Sequence, residues 1–162
     1  MRIRDAGGSD MAPLRDIMNH YRKNSRSLWE TALLTDDDVE TWLNEHSRRP
    51  YAALVAEEEG VVGFASLSCF RPYSGYRLTA ENSIYLSPGY EGKGHGGALM
   101  RALLLRAREN GLRVVTAWID AENWNSVRFH ERYGFRYVGC MRDVGMLDGE
   151  FRSVVIMQYN ME

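Results

Sequence analysis

No run of apolar residues in this 162-residue sequence approaches the roughly 20 needed to cross a bilayer. The opening Met1-Arg2-Ile3-Arg4-Asp5 lacks the apolar core of a signal peptide, so no export segment is expected there. Neither sign of charge is in excess. The 20 Lys and Arg face 22 Asp and Glu, a formal net charge of −2, which removes the electrostatic case for nucleic acid or an anionic membrane as partner. Cysteine is scarce. Cys69 and Cys140 both fall in strand-like segments, with no C-x-x-C spacing and no cluster of metal ligands beside them. Buried free thiols, a reducing cytoplasm and no metal are the expectation. Repeats, low-complexity tracts and linkers are also missing. With 44% hydrophobic and 26% charged residues, the composition suits one domain over residues 1–162 with a substantial core.

What the chain does have is glycine in a telling place. Ser83 to Leu86 is short, β-branched and aromatic, and Pro88-Gly89 stops it. Gly92, Gly94, Gly96 and Gly97 then lead into a run of Ala, Leu and Arg, all good helix formers. Glycine allows close backbone approach and positive φ, and a helix start offers unpaired N–H groups with partial positive charge. Strand, glycine turn and helix together make a seat for phosphate. It is not a P-loop, because Lys93 is followed by Gly94 and no hydroxyl is present for magnesium. Gly92, Gly94 and Gly97 do fit the G-x-G-x-x-G spacing of dinucleotide folds. That fold, however, expects the turn in an opening βαβ unit with an acid closing a strand roughly 20 residues on. Here the turn comes past the middle, and Leu112-Arg-Val-Val-Thr follows.

The remaining pattern is mixed α/β. Arg2 to Ala6 reads as a strand, broken by Gly7-Gly8, with Ser9 or Asp10 as helix cap. Leu14, Ile17, Met18 and Tyr21 mark one face of a helix. Thr35 to Asp38 caps a second helix with the stripe Val39, Trp42, Leu43 and His46. His46, near its end, is expected as a solvated cap. Tyr51–Ala56 and Val61–Phe70 form a hairpin around Glu57 to Gly60, and Leu78–Leu86 is a third strand. The helix after the glycine turn ends at Asn110-Gly111. Val114–Ile119 is a strand, Trp124–Tyr133 a helix closed by Gly134, and Phe135–Val144 with Phe151–Tyr159 a last hairpin. The predicted order is β-α-α-β-β-β-α-β-α-β-β. Trp29 and Glu30 fall outside any periodic pattern. Trp29 either covers the core edge or serves a site.

Leu86-Ser-Pro-Gly-Tyr-Glu-Gly-Lys-Gly-His-Gly resembles the acetyl-CoA motif of the GNAT-superfamily N-acetyltransferases, and Asn123 to Phe135 is similar to the superfamily's second motif. More narrowly, Tyr76 to Leu86, the His130 position and Val154 to Gln158 resemble the phosphinothricin and methionine sulfone (or sulfoximine) acetyltransferase branch. The resemblance covers nearly the whole chain. It implies a central, mostly antiparallel sheet splayed between two parallel strands and flanked by helices, with acetyl-CoA as co-substrate and a homodimer as assembly. Gly92, Lys93, Gly94, His95, Gly96 and Gly97 would hold the pyrophosphate, and Ile84, Tyr85 and Leu86 would pair with the pantetheine arm. Asn123 and Arg132 would contact CoA further along.

The implied reaction is direct attack of an amine on the thioester. Glu81 stands where the branch places a glutamate base, since a protonated amine must first lose a proton. His130 occupies the superfamily's usual tyrosine position as donor to the leaving thiolate, with Tyr133 as the alternative. A backbone N–H of the Ile84–Leu86 strand would meet the oxyanion. Trp29, Glu30, Arg71, Tyr73, Ser74, Gly75 and Tyr76 would line the acceptor pocket, an arginine suiting a carboxylate or sulfonyl-type oxygen. Arg71 and Arg77 alternatively solvate their loop. Two departures stand out: Glu91 replaces the usual Arg or Gln, and Trp29-Glu-Thr-Ala-Leu replaces Phe-Glu-Thr-Glu-Pro. The expected function is N-acetylation of a small amino-acid-like amine. Acetylation of a protein N-terminus or a polyamine, and non-catalytic acyl-CoA binding, are the alternatives.

Overall fold

A computed structural model describes residues 1–162. In chain order they form β1 (Arg2–Asp5), α1 (Met11–Asn24), α2 (Asp36–His46), β2 (Ala52–Glu57), β3 (Val61–Cys69), β4 (Thr79–Leu86), α3 (His95–Glu109), β5 (Val114–Asp120), α4 (Trp124–Arg132), β6 (Arg136–Leu147) and β7 (Glu150–Asn160). This is the order that the hydrophobic patterning predicts. The strands make one sheet of seven, ordered β1-β2-β3-β4-β5-β7-β6. The β6–β7 hairpin closes through Asp148 and Gly149, at φ 53° and 78°, the two successive positive angles of a tight hairpin turn.

All neighbouring strands run antiparallel except β4 and β5, and that exception makes the site. Their parallel pairing covers only Thr79–Glu81 against Val114–Thr116, although β4 continues to Leu86 and β5 to Asp120. Beyond Glu81 the two strands part, and the sheet opens like a fork. At the fork, Asn82 Nδ2 donates to the Thr116 carbonyl at 3.1 Å, so a buried backbone acceptor is satisfied where the ladder stops. Apolar side chains fill both faces. Leu99, Met100 and Leu103 of α3 and Val127 of α4 pack on one, with Ala65, Leu67 and Val115. Leu14, Ile17 and Met18 of α1 and Val39 of α2 pack on the other, against Val55 and Phe64.

Three local expectations are corrected. Asp10 does not cap α1 through its side chain. Its carboxylate takes the Gly7 N–H at 2.9 Å and two bonds from Arg4 at 2.8 and 2.9 Å, and an intervening 3-10 turn starts the helix instead. His46 is buried rather than solvated. Its Nδ1 lies 2.7 Å from the Trp42 carbonyl and its Nε2 2.8 Å from Ser68 Oγ, because the last turn of α2 lies on β3. Cys69 and Cys140 are free but exposed. Cys69 ends β3 where the chain leaves the sheet, and Cys140 lies on the edge strand β6. The α2 cap is as expected: Thr35 Oγ1 accepts from the Asp38 N–H, and Asp38 accepts from the Thr35 N–H.

Candidate active site

The fork encloses a cavity of about 270 Å³ walled by residues 81–85 of β4 and 117–120 of β5. Tyr21, Ser27 and Leu28 close it from one sheet face, and Asn123, Ser126 and His130 from the other. Strand alternation explains the division. Ala80, Asn82 and Ile84 turn to the α3–α4 face, where Asn82 meets His130. Glu81 and Tyr85 turn to the α1–α2 face, where Tyr85 packs on Tyr21 and Phe64 with ring centroids 4.8 and 5.4 Å apart.

Glu81 forms no ion pair or side-chain hydrogen bond, and burial alone pushes its carboxyl above the usual carboxylate range. A carboxylate so placed accepts a proton more readily than a solvated one. Tyr85 shares the pocket, its phenol pushed up first by burial and then by the Glu81 charge.

His130 is buried between two partners. A carbonyl only accepts, so the 2.8 Å contact with Ser126 O fixes a proton on Nδ1. Asn82 already donates through Nδ2, so its Oδ1 faces His130 Nε2 at 3.2 Å, a hydrogen bond only when Nε2 is protonated too. Burial nevertheless pushes the imidazole's pKa down, against the Ser126 bond. The imidazole is therefore held neutral with its proton on Nδ1, and a second proton taken up at Nε2 would face Asn82 Oδ1 and be given up easily. Tyr133 lies elsewhere. Its hydroxyl sits against Gly97, where a Cβ would come within 2.1 Å of it, and receives Arg101 Nη1 at 3.3 Å. Tyr133 therefore supports the start of α3, outside the fork.

The glycine turn fits a pyrophosphate. Gly92 and Gly94 take φ 73° and 90°, a region costly for side-chain-bearing residues. The first intrahelical bond runs from Ala98 N–H to Gly94 O, and no side chain caps the preceding N–H groups. These amides and the helix dipole are left for an anion. Lys93 is exposed, its Nζ 5.0 Å from the Tyr90 ring centroid. The His95 imidazole points away from the turn, its Nε2 2.9 Å from Glu58 on the β2–β3 connection. Glu91, the unexpected acid, accepts from the Gly89 N–H at 2.8 Å and so stiffens the turn itself. At the end of β4 the Leu86 carbonyl accepts from the Tyr21 hydroxyl at 2.9 Å.

Trp29 is pinned. Its Nε1 donates to Asp120 at 2.8 Å, and its ring lies where a Cβ on Gly145 would be within 2.3 Å. Asp120 also receives Arg152 at 2.7 to 2.9 Å, both side chains being nearly inaccessible. Burial pushes the Asp120 carboxyl up, but the bonds from Arg152, the Glu122 N–H and Trp29 outweigh it and hold it below the usual range. Asn123 caps α4, accepting from Ser126 N–H at 3.2 Å, and its Nδ2 reaches Ser27 at 3.3 Å.

The structure thus gathers Glu81, Ile84, Tyr85, Asn123 and His130 round one cavity. Other predicted residues lie outside it. Glu30 is exposed and accepts from Thr31 and Ala32 N–H at 2.8 and 2.9 Å, which lowers its pKa and spends the carboxylate on its own turn. Arg71, Tyr73, Ser74, Gly75 and Tyr76 lie on an exposed loop, and Arg132 is exposed at the end of α4. That loop reaches the cavity wall only through Phe70: Arg71 lies over the Phe70 ring, whose centroid is 6.4 Å from that of Trp118. Sequence reasoning missed Asn82, Trp118, Asp120 and Arg152. A signal existed for Arg152, a lone cation in an apolar strand.

Comparison with known proteins agrees with this geometry. Residues 14–135 match the model of the acetyltransferase (GNAT) family. An L-methionine sulfoximine/L-methionine sulfone acetyltransferase of Pseudomonas aeruginosa is 35% identical over 99% of this chain and 94% of its own. A structure described as ribosomal-protein-alanine N-acetyltransferase from Brucella melitensis superposes with TM-score 0.97 at 33% identity, covering 99% of this chain and 100% of that one. Another, from Salmonella typhimurium with its cofactor acetyl-CoA, has TM-score 0.96 at 33% identity over 100% of this chain and 94% of that one. A glycine turn at an open helix start, a forked sheet and a family match over most of the length have one meaning: the chain belongs to the acetyltransferase (GNAT) family.

Proposed function

We propose that this enzyme moves an acetyl group from acetyl-CoA to the amine of a small amino-acid-like acceptor, of the phosphinothricin, methionine sulfone or methionine sulfoximine type, by direct attack. Bound acetyl-CoA supplies the acetyl as an activated thioester. One observation carries the reading: the unpartnered Glu81 carboxylate and the buried His130 imidazole face the same fork from opposite sheet faces. The α3 amides, with Lys93, hold the pyrophosphate, Ile84 to Leu86 present backbone to the pantetheine arm, and Asn123 and Arg132 border it. Glu81 takes the amine's proton, directly or through one water, and a β4 N–H meets the oxyanion. His130 rather than Tyr133 protonates the leaving thiolate, since Tyr133 Oη is held at the start of α3.

The Pseudomonas aeruginosa relative supports an amino-acid-like acceptor. Trp29, pinned at one end, shapes the pocket, and Arg71 with Tyr73 to Tyr76, on the exposed loop, greets the acceptor's anionic head. The Brucella melitensis neighbour favours a second reading, an alanine at a protein N-terminus. A cavity of about 270 Å³ suits a free amino acid better than an extended chain. Residues 1–162 act as one catalytic unit, in the cytoplasm and as a homodimer. Exposed apolar side chains on the outer hairpin, Val138 and Met146 of β6 and Phe151 of β7, support that assembly. A thiol-release assay with methionine sulfone, methionine sulfoximine, phosphinothricin and an alanine-starting peptide tests the proposal. Turnover on the peptide alone would replace the acceptor, and acetyl-CoA binding without turnover on any amine would leave only a binding module.

A further inference from the structure

The buried His46 and the half-buried Ser68 form a pair that the reading above does not use. The Trp42 carbonyl accepts from His46 Nδ1–H at 2.7 Å, which fixes that proton and leaves Nε2 as an acceptor. Ser68 Oγ lies 2.8 Å from Nε2 and therefore donates its hydroxyl proton there, leaving its lone pairs free. Ser68 is the direct cross-strand partner of Glu81 in the β3–β4 ladder. Directly paired residues share a face of the sheet, with Cβ atoms about 4.5–5.5 Å apart. Ser66, Ser68, Ser83 and Tyr85 line a cavity of about 350 Å³ on that face, and their hydroxyls offer partners to a bridging water in a space otherwise walled largely by apolar side chains. Ser68 and His46 also border a second cavity of about 580 Å³, with Glu45 and Arg48 at its rim.

We infer that Ser68 and His46 relay the acceptor's proton from Glu81 to solvent beneath α2. This rests on Glu81 as the base. The Glu81 carboxylate takes the proton from the ammonium, leaving a neutral amine. The protonated Glu81 then donates, through one water, to a Ser68 Oγ lone pair while the Ser68 hydroxyl proton passes to His46 Nε2. Glu81 returns to carboxylate, Ser68 keeps one proton, and His46 becomes imidazolium. Its Nε2 proton then leaves to water in the outer cavity. Burial pushes His46 down, so it starts neutral, while the Trp42 carbonyl and the Glu45 charge favour the transient cation. Stacking on Trp42, centroids 4.2 Å apart, adds a cation–π contact to that state.

The test compares Ser68→Ala, Ser68→Thr, His46→Gln and Glu81→Gln on the amine that the wild type acetylates fastest. Ser68→Ala and His46→Gln should each lower kcat on the order of tenfold, less than loss of a general base itself, with KM for acetyl-CoA unchanged. Ser68→Thr, which keeps the hydroxyl, should restore the rate. Small buffer bases should accelerate Ser68→Ala but not the wild type, a response that a merely structural serine would not give. If Ser68→Ala and His46→Gln both turn over at the wild-type rate while Glu81→Gln is impaired, the relay is wrong and the base assignment stands. If Glu81→Gln is unimpaired, the base assignment fails and the relay with it.

Discussion

Glu81 and His130 titrate in opposite directions for one reason: burial penalises the charged form of each. Glu81, the proposed base, therefore picks up its proton at higher pH than a solvated glutamate, whose usual value is about 4.3. The acid limb of kcat/KM should lie above that value, and Glu81→Gln should abolish it while lowering the rate by about 10²–10⁴-fold. A pH–rate profile unchanged by Glu81→Gln would reject the assignment. For the donor, His130→Phe should cut turnover and Tyr133→Phe should not. Tyr133 matters instead through Gly97, where an added Cβ would collide with its hydroxyl. Gly97→Ala should raise KM for acetyl-CoA by displacing the start of α3. Combining it with Tyr133→Phe should recover part of the loss, with a coupling on the order of 1 kcal/mol in a double-mutant cycle of stabilities. Simple additivity would contradict that contact.

Among elements, strands and helices were legible because each buries a face whose spacing is written locally, as in Leu14, Ile17 and Met18 or Leu99 and Leu103. The glycine turn was legible because helix-start chemistry is local as well. What was not legible arises between elements distant in sequence. The fork depends on where β4 and β5 stop pairing, and Asn82 gains its meaning only when Thr116 and His130 arrive. Asp120 and Arg152, 32 residues apart, meet because β5 lies beside β7. Glu91, which stands where the family usually has Arg or Gln, accepts from the backbone of its own turn, a contact the sequence does not show. The Asp120–Arg152 pair anchors Trp29, so Asp120→Ala leaves a buried guanidinium short of its partner and frees the indole. It should cost about 3–5 kcal/mol. In a domain of this size that lowers Tm by at least about 6 °C, readable by calorimetry. An unchanged Tm would show the pair to be dispensable. On the edge strand, Val138→Asp should convert a dimer to a monomer in sedimentation velocity, whereas a monomeric wild type would contradict the proposed assembly.

At the scale of the whole molecule, the same buried groups set a pH dependence of stability. His46 and His130 have folded pKa values below the unfolded value of about 6.5, so the unfolded chain binds protons more readily there. Their effect is neutral above that pH and destabilising as pH falls through it. Glu81 acts oppositely. Its raised folded pKa favours the folded state at low pH, and that contribution is lost as pH rises through the folded value. Two histidines oppose one glutamate, so melting temperatures should fall on acidification from about pH 7 to 5. His46→Gln should flatten the fall, and Glu81→Gln should steepen it. The same three side chains thus link stability to the chemistry proposed for the fork. The most direct test of the central claim is CoA release from acetyl-CoA with methionine sulfone at neutral pH, wild type against Glu81→Gln. The account predicts saturable release by the wild type, an N-acetylated product by mass spectrometry, and near-complete loss in the variant with acetyl-CoA binding retained. Equal release by both proteins, or none by the wild type on any small amino-acid amine, would contradict it.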